Sequence, residues 1–169
     1  MATKVPTPKD VDKTEAGWAG AFSDESESSF GEKFAPSVKL EATALARTVE
    51  GRERVQTVMG AASRIYEALE FTRHAQEGQR SYLEWTARLR GGEPVSGITV
   101  LTSDPDGKIL NIAIHHRPLP TMLRFSAMLG RDLAGKIEPD LFYEWPPVTI
   151  RTCLRRTAQR RRSTSIRSR

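Results

Sequence analysis

The sequence predicts an α+β domain in which helices pack on one face of a curved antiparallel sheet. Helical apolar spacing dominates up to Glu67, and alternating runs separated by turn residues follow it. One of those turns, Asp104-Pro105-Asp106-Gly107, sits between two alternating runs and is a hairpin signal. The chain has 169 residues, 38% apolar and 28% charged, the makeup of one globular domain. A chain of this length can build its core without disulfides. The lone Cys153 excludes an intrachain disulfide framework and a cysteine-rich zinc site.

The elements follow in order. Trp18 and Phe22 are four apart, as are Phe30 and Phe34, which predicts two short helices broken near Ser23 to Ser26. Val38, Leu40, Ala42 and Ala44 alternate with polar residues, the pattern of a strand with one buried face. From Arg52 to Tyr66, Val55, Val58, Met59, Ala62 and Ile65 form one apolar stripe, which predicts a helix opening at Gly51. Four strands are then expected over Leu69–Gln76, Arg80–Arg90, Val95–Ser103 and Lys108–His116, joined as a meander. Pro118 ends the last strand. Met122, Phe125, Leu129 and Leu133 then predict a closing helix over Leu119–Leu133.

The formal charge of +5 belongs to one end of the chain. Eight arginines and no acid follow Glu144, so residues 1–144 carry 18 basic against 21 acidic side chains, a formal charge of −3. The expected division is a flexible arm over residues 1–13, a folded domain over 14–144 and a disordered Arg-rich tail over 145–169. Such a tail could bind phosphate non-specifically. It has no aromatic after Trp145 to stack on bases and no folded motif, which argues against nucleic acid as the partner. A further reading of its abrupt composition after Pro147 is a read-through or an altered reading frame. Met1 to Lys13 lacks an apolar run and no stretch of about 18 apolar residues occurs, so a cytoplasmic, membrane-free protein is expected.

Several phrases occur in a telling order: Phe34-Ala-Pro-Ser-Val-Lys-Leu-Glu41, Val49-Glu-Gly-Arg52, Tyr82-Leu-Glu-Trp-Thr86, Gly97-Ile-Thr-Val-Leu101 and Asp106-Gly-Lys-Ile-Leu110. With them, over about Trp18 to Tyr143, the chain resembles the nuclear transport factor 2-like superfamily, and within it the SnoaL-like, polyketide-cyclase-like branch. The resemblance implies a cone, a bent sheet wrapped around helices with an apolar pocket open at one end, often in a homodimer. Such cones host isomerases, cyclases, epoxide hydrolases and dehydratases as well as domains without catalysis, so function is argued from the site.

Two catalytic candidates stand out. Glu84 is a carboxylate in mid-strand; inside the cone, desolvation would raise its pKa and suit it to proton transfer. Alternation leaves a second reading open, because Leu83, Trp85, Ala87 and Leu89 form the more apolar face and Tyr82, Glu84, Thr86 and Arg88 the other. His116 extends the set Leu110, Ile112, Ile114 by two places, which turns it rather than His115 toward the pocket. In SnoaL-like cyclases an acidic residue near the end of this strand does the acid-base work, and here the position offers a histidine, able to shuttle protons near neutral pH. The bland reading is a hydrogen-bonded rim residue, with Arg117 beside it exposed or paired.

Tyr66 and Tyr82 are candidate phenol donors to an enolate-like oxygen, the role tyrosine takes in ketosteroid isomerases; packed rings are the alternative. Trp85, Ile112, Ile114 and Arg117 complete the expected ligand-binding set. A metal site would need His74 and His116 to converge with Glu41 or Glu84, and no ligand spacing supports that, so neither metal nor cofactor is expected. The Asp, Arg, Asp constellation of the epoxide hydrolases is absent from the strand interiors. The expectation is a cone that binds a small apolar molecule and carries out proton transfer of the isomerase or cyclase type. The competing expectation is a non-catalytic dimeric binding or interaction module.

Overall fold

The computed structural model describes Trp18 and residues 31–144. The expected N-terminal arm, most of the first two helices and the Arg-rich tail lie outside the described residues. Among the described residues, six strands and two α-helices make an α+β fold: β1 (Phe34–Ala42), β2 (Val49–Glu50), α1 (Arg52–Ile65), β3 (Tyr66–Glu77), β4 (Arg80–Leu89), β5 (Pro94–Ser103), β6 (Ile109–Arg117) and α2 (Leu119–Asp132). The strands form one sheet in the order β2-β1-β6-β5-β4-β3. The meander from β3 to β6 is antiparallel throughout, whereas β1 runs parallel to β6, so the sheet is mixed rather than wholly antiparallel.

Phe34 departs from its expected place. It opens β1 instead of closing a helical turn with Phe30, and it is fully buried against Trp18, whose ring lies 6.5 Å away. The four-residue spacing of those phenylalanines is therefore no helical stripe on this side of Gly31. Another boundary moved because α1 passes into β3 without a loop: Tyr66 already has extended geometry, and β3 begins three residues before Leu69.

The hairpin between β5 and β6 is held by Asp104, whose Oδ1 accepts the backbone N–H groups of Asp106 and Lys108. Gly107 adopts φ +81° there, a conformation that costs a side-chain-bearing residue about 1–2 kcal/mol. The apolar stripe of α1 buries Val55, Val58, Met59 and Ile65, and α2 buries Met122, Phe125 and Leu129. Both helices face the same side of the sheet, where Leu83, Trp85, Leu101 and Ile112 project. Alternation leaves the opposite face to Glu84, Thr86, Ile98 and His115.

Candidate active site

Register assembles the site. Phe71 on β3 pairs with Trp85 on β4, Trp85 with Gly97 on β5, and Gly97 with His116 on β6, so one row crosses the inner face of four strands. Tyr66, at the junction of α1 and β3, reaches this row from the side. Its ring lies edge-on to Trp85 at 5.7 Å and stacks on Phe125 of α2 at 5.1 Å. His116 stands edge-on to Trp85 at 5.3 Å and 5.7 Å from Phe125. These rings, with Trp18, Leu69, Phe71, Met59 and Ile114, wall a cavity between sheet and helices. The centre of a water molecule could occupy about 30 Å³ of it, within about 480 Å³ of atom-free space that includes open solvent. That is room for a few heavy atoms without rearrangement.

Among the described residues the cavity wall is almost wholly apolar, with two polar contacts given by Trp85, Thr99, Tyr66 and His116. Trp85 Nε1 donates to Thr99 Oγ1 at 3.1 Å. The Tyr66 hydroxyl and His116 Nε2 are 3.1 Å apart, in a hydrogen bond whose direction follows the histidine tautomer. His116 Nδ1 is buried with no hydrogen-bond partner among the described residues. Burial pushes the His116 imidazole down to about 3, and neighbouring His115 adds to that. The nearby Ile114 backbone pulls the other way, though its carbonyl does not meet Nδ1 in hydrogen-bond geometry. Burial also pushes the Tyr66 hydroxyl well above the usual phenol range. Phenol and imidazole are therefore both neutral near pH 7, a pair that can hold or pass a proton without a charged partner.

The structure brings together Tyr66, Trp85, Ile114 and His116 of the expected set. Ile112 faces the same side but is fully buried in the core and is not part of the cavity wall. Glu84, Tyr82 and Arg117 lie on the outer face, because each is an odd number of residues from an inward neighbour on its strand. Glu84 is half exposed, with Arg73 at 3.8 Å, and Arg117 Nε donates to Ser96 Oγ at 2.8 Å. This corrects the expectation of Glu84 as the carboxylate of the cone. His74 pairs with inward-facing Leu83, while Glu41 and Glu84 point outward, so these groups do not converge. Among the described residues no three His, Cys, Asp or Glu side chains could share a metal ion. No described helix is long and apolar enough to cross a membrane.

The sequence pattern places Phe125 in core packing and marks neither Thr99 nor Gly97 as a site residue. Phe125 carries the same helical signal as its buried neighbours. Thr99 was detectable as the polar member of the inward set Gly97, Thr99, Leu101.

No family model and no curated protein sequence matches the chain. Solved structures do. A steroid delta-isomerase from Pseudomonas aeruginosa is 22% identical with a TM-score of 0.69, over 78% of this chain and 96% of that one. An uncharacterized bacterial protein with a cystatin-like fold from Silicibacter pomeroyi is 20% identical with a TM-score of 0.68, over 73% and 86%. A SnoaL-like family member from Agrobacterium tumefaciens is 14% identical with a TM-score of 0.53, over 65% and 99%. At these identities the likeness concerns the fold, and together with the element order and sheet topology it shows that this chain has the nuclear transport factor 2-like fold.

Proposed function

We propose that the cone binds a small, uncharged, largely apolar molecule, that the Tyr66–His116 pair is its polar contact, and that isomerase- or cyclase-type proton transfer there runs in concert along the Tyr66–His116 hydrogen bond, so that neither ring takes a full charge. The observation that carries this reading is the neutral phenol–imidazole pair in a wall that is otherwise aromatic and aliphatic apart from Thr99, whose hydroxyl already takes the Trp85 indole N–H. A charged ligand would lose its hydration there without meeting an opposite charge. A neutral ligand with one hydrogen-bonding atom loses little.

A thermal-shift series tests this with small cyclic ketones and phenols against carboxylate analogues of the same size. Neutral compounds should raise Tm and the carboxylates should not. The shift should shrink in His116→Ala and Tyr66→Phe and persist in Glu84→Gln. Equal stabilisation by the carboxylates, or no stabilisation by any compound, refutes the reading.

A second reading, a dimeric binding module without turnover, draws on the outer face. Ile98 is 40% exposed at its centre, with Tyr82 and Val100 half-buried beside it. One outer row runs Glu70, Thr86, Ser96, Arg117 across β3 to β6, so a two-fold axis along the strands would set Glu70 of each copy against Arg117 of the other. Sedimentation equilibrium should then find a dimer that Ile98→Asp dissociates. A monomeric parent protein refutes it.

A further inference from the structure

We propose that Gly97 and Thr99 set the size of ligand the cone admits, by pinning the Trp85 indole as an immovable wall of the cavity. The inference rests on the reading that the cavity binds a ligand and adds what limits that ligand.

Gly97 lies directly between Trp85 and His116 in the inward row. A Cβ built on Gly97 would stand 2.5 Å from Trp85 Cζ2 and against the His115 carbonyl oxygen, far inside contact distance. The backbone at Gly97 has no positive φ, so its conformation does not ask for glycine. Space does. The indole spreads over the bare Cα, and from there it reaches the edge-on contacts with His116 and Tyr66.

Two residues along β5 on the same face, Thr99 takes the indole N–H at 3.1 Å and is itself 2% exposed. Turning the ring out of this seat would strand a buried donor and a buried hydroxyl. Trp85 is thus fixed from below by Gly97 and at its nitrogen by Thr99. The strand lies behind it, and Tyr66 and His116 flank it, so the one way it can yield is into the cavity, which reduces the space. Gly97 and Thr99 are positioning residues, because they act on the ligand through Trp85.

The test uses two neutral probes of one chemistry and different size, phenol and 2-naphthol, titrated calorimetrically into the full chain and its variants. The readout is the ratio of the two affinities, which a loss of stability alone does not move. Trp85→Phe should shift the ratio toward 2-naphthol at least tenfold. Thr99→Val, which keeps side-chain volume but releases the indole nitrogen, should shift it the same way by less. Gly97→Ala should shift it toward phenol if the variant folds; the other two variants decide the matter if it does not.

An unchanged ratio in both Trp85→Phe and Thr99→Val, with phenol still bound, overturns this inference and leaves the binding reading intact. Failure of the parent protein to bind either probe overturns the binding reading and this inference with it. Binding by no variant overturns both.

Discussion

The buried imidazole of His116 makes stability depend on pH in a way that one substitution isolates. Its pKa is about 3 in the folded chain, against an ordinary 6.5. Above pH 6.5 the ring is neutral in both folded and unfolded states and contributes no slope. Between 6.5 and 3 the unfolded chain takes up a proton that the folded chain refuses, so stability falls as pH falls. The full loss approaches about 5 kcal/mol at 1.36 kcal/mol per pH unit. Between pH 7 and pH 5 it amounts to about 2 kcal/mol. Urea unfolding of the parent chain and of His116→Gln at both pH values measures it. Glutamine does not titrate and still offers the Tyr66 hydroxyl an acceptor. Glu138 and Asp140, held below the usual carboxylate range chiefly by their own backbone amide and by Arg47 respectively, lose stability on acidification in both proteins and cancel in the comparison. The parent should lose about 2 kcal/mol more than the variant over this interval. Parallel losses would refute the burial argument, and with it the neutral pair on which the proposed chemistry depends.

Other outcomes follow from named contacts. Tyr66→Phe keeps the ring contacts but leaves His116 Nε2 without its partner, and should cost about 1–3 kcal/mol, read as a fall in Tm of about 2–4 °C per kcal/mol; an unchanged Tm would mean that the bond carries no weight. Ser126 is fully buried, donates to the Ala44 carbonyl at 2.6 Å and accepts the Tyr143 N–H at 2.8 Å. Ser126→Ala should therefore cost about 1–3 kcal/mol in denaturant unfolding, and a cost below about 0.5 kcal/mol would contradict the bridge between the strand end and Tyr143. Glu84→Gln removes an exposed carboxylate on the outer face and should change stability by less than about 0.5 kcal/mol, with ligand binding unaltered; a weakened ligand would return Glu84 to the site.

Much of this protein is set by local pattern. Period-two alternation and the Asp104–Gly107 turn place β3 to β6 to within three residues, and the stripes of α1 and α2 lie where the 3.6 period puts them. Those signals are legible because an amphipathic element must turn its apolar side to the core whatever its neighbours are. The same alternation separates His116 from His115 and leaves Glu84 with Tyr82 on the more polar face. Glu84 is a mid-strand carboxylate, a residue type suited to proton chemistry, and its register partner Ile98 shows why it lies outside: the row Arg73, Glu84, Ile98, His115 belongs to the outer surface. Which inward residues meet is a matter of strand pairing and helix packing. Strand pairing brings Trp85, Gly97 and His116 into one row across 31 residues of sequence, and α2 carries Phe125 onto Tyr66 from 59 residues away. Parallel addition of β1 to β6 was equally out of reach, since alternation fixes a strand's faces but not its neighbour or direction. The buried side of each element follows from its own residues, because that choice depends on neighbours a few places apart. The cavity, its neutral polar pair and the glycine that seats its tryptophan depend on side chains from distant segments competing for the same few ångströms of space.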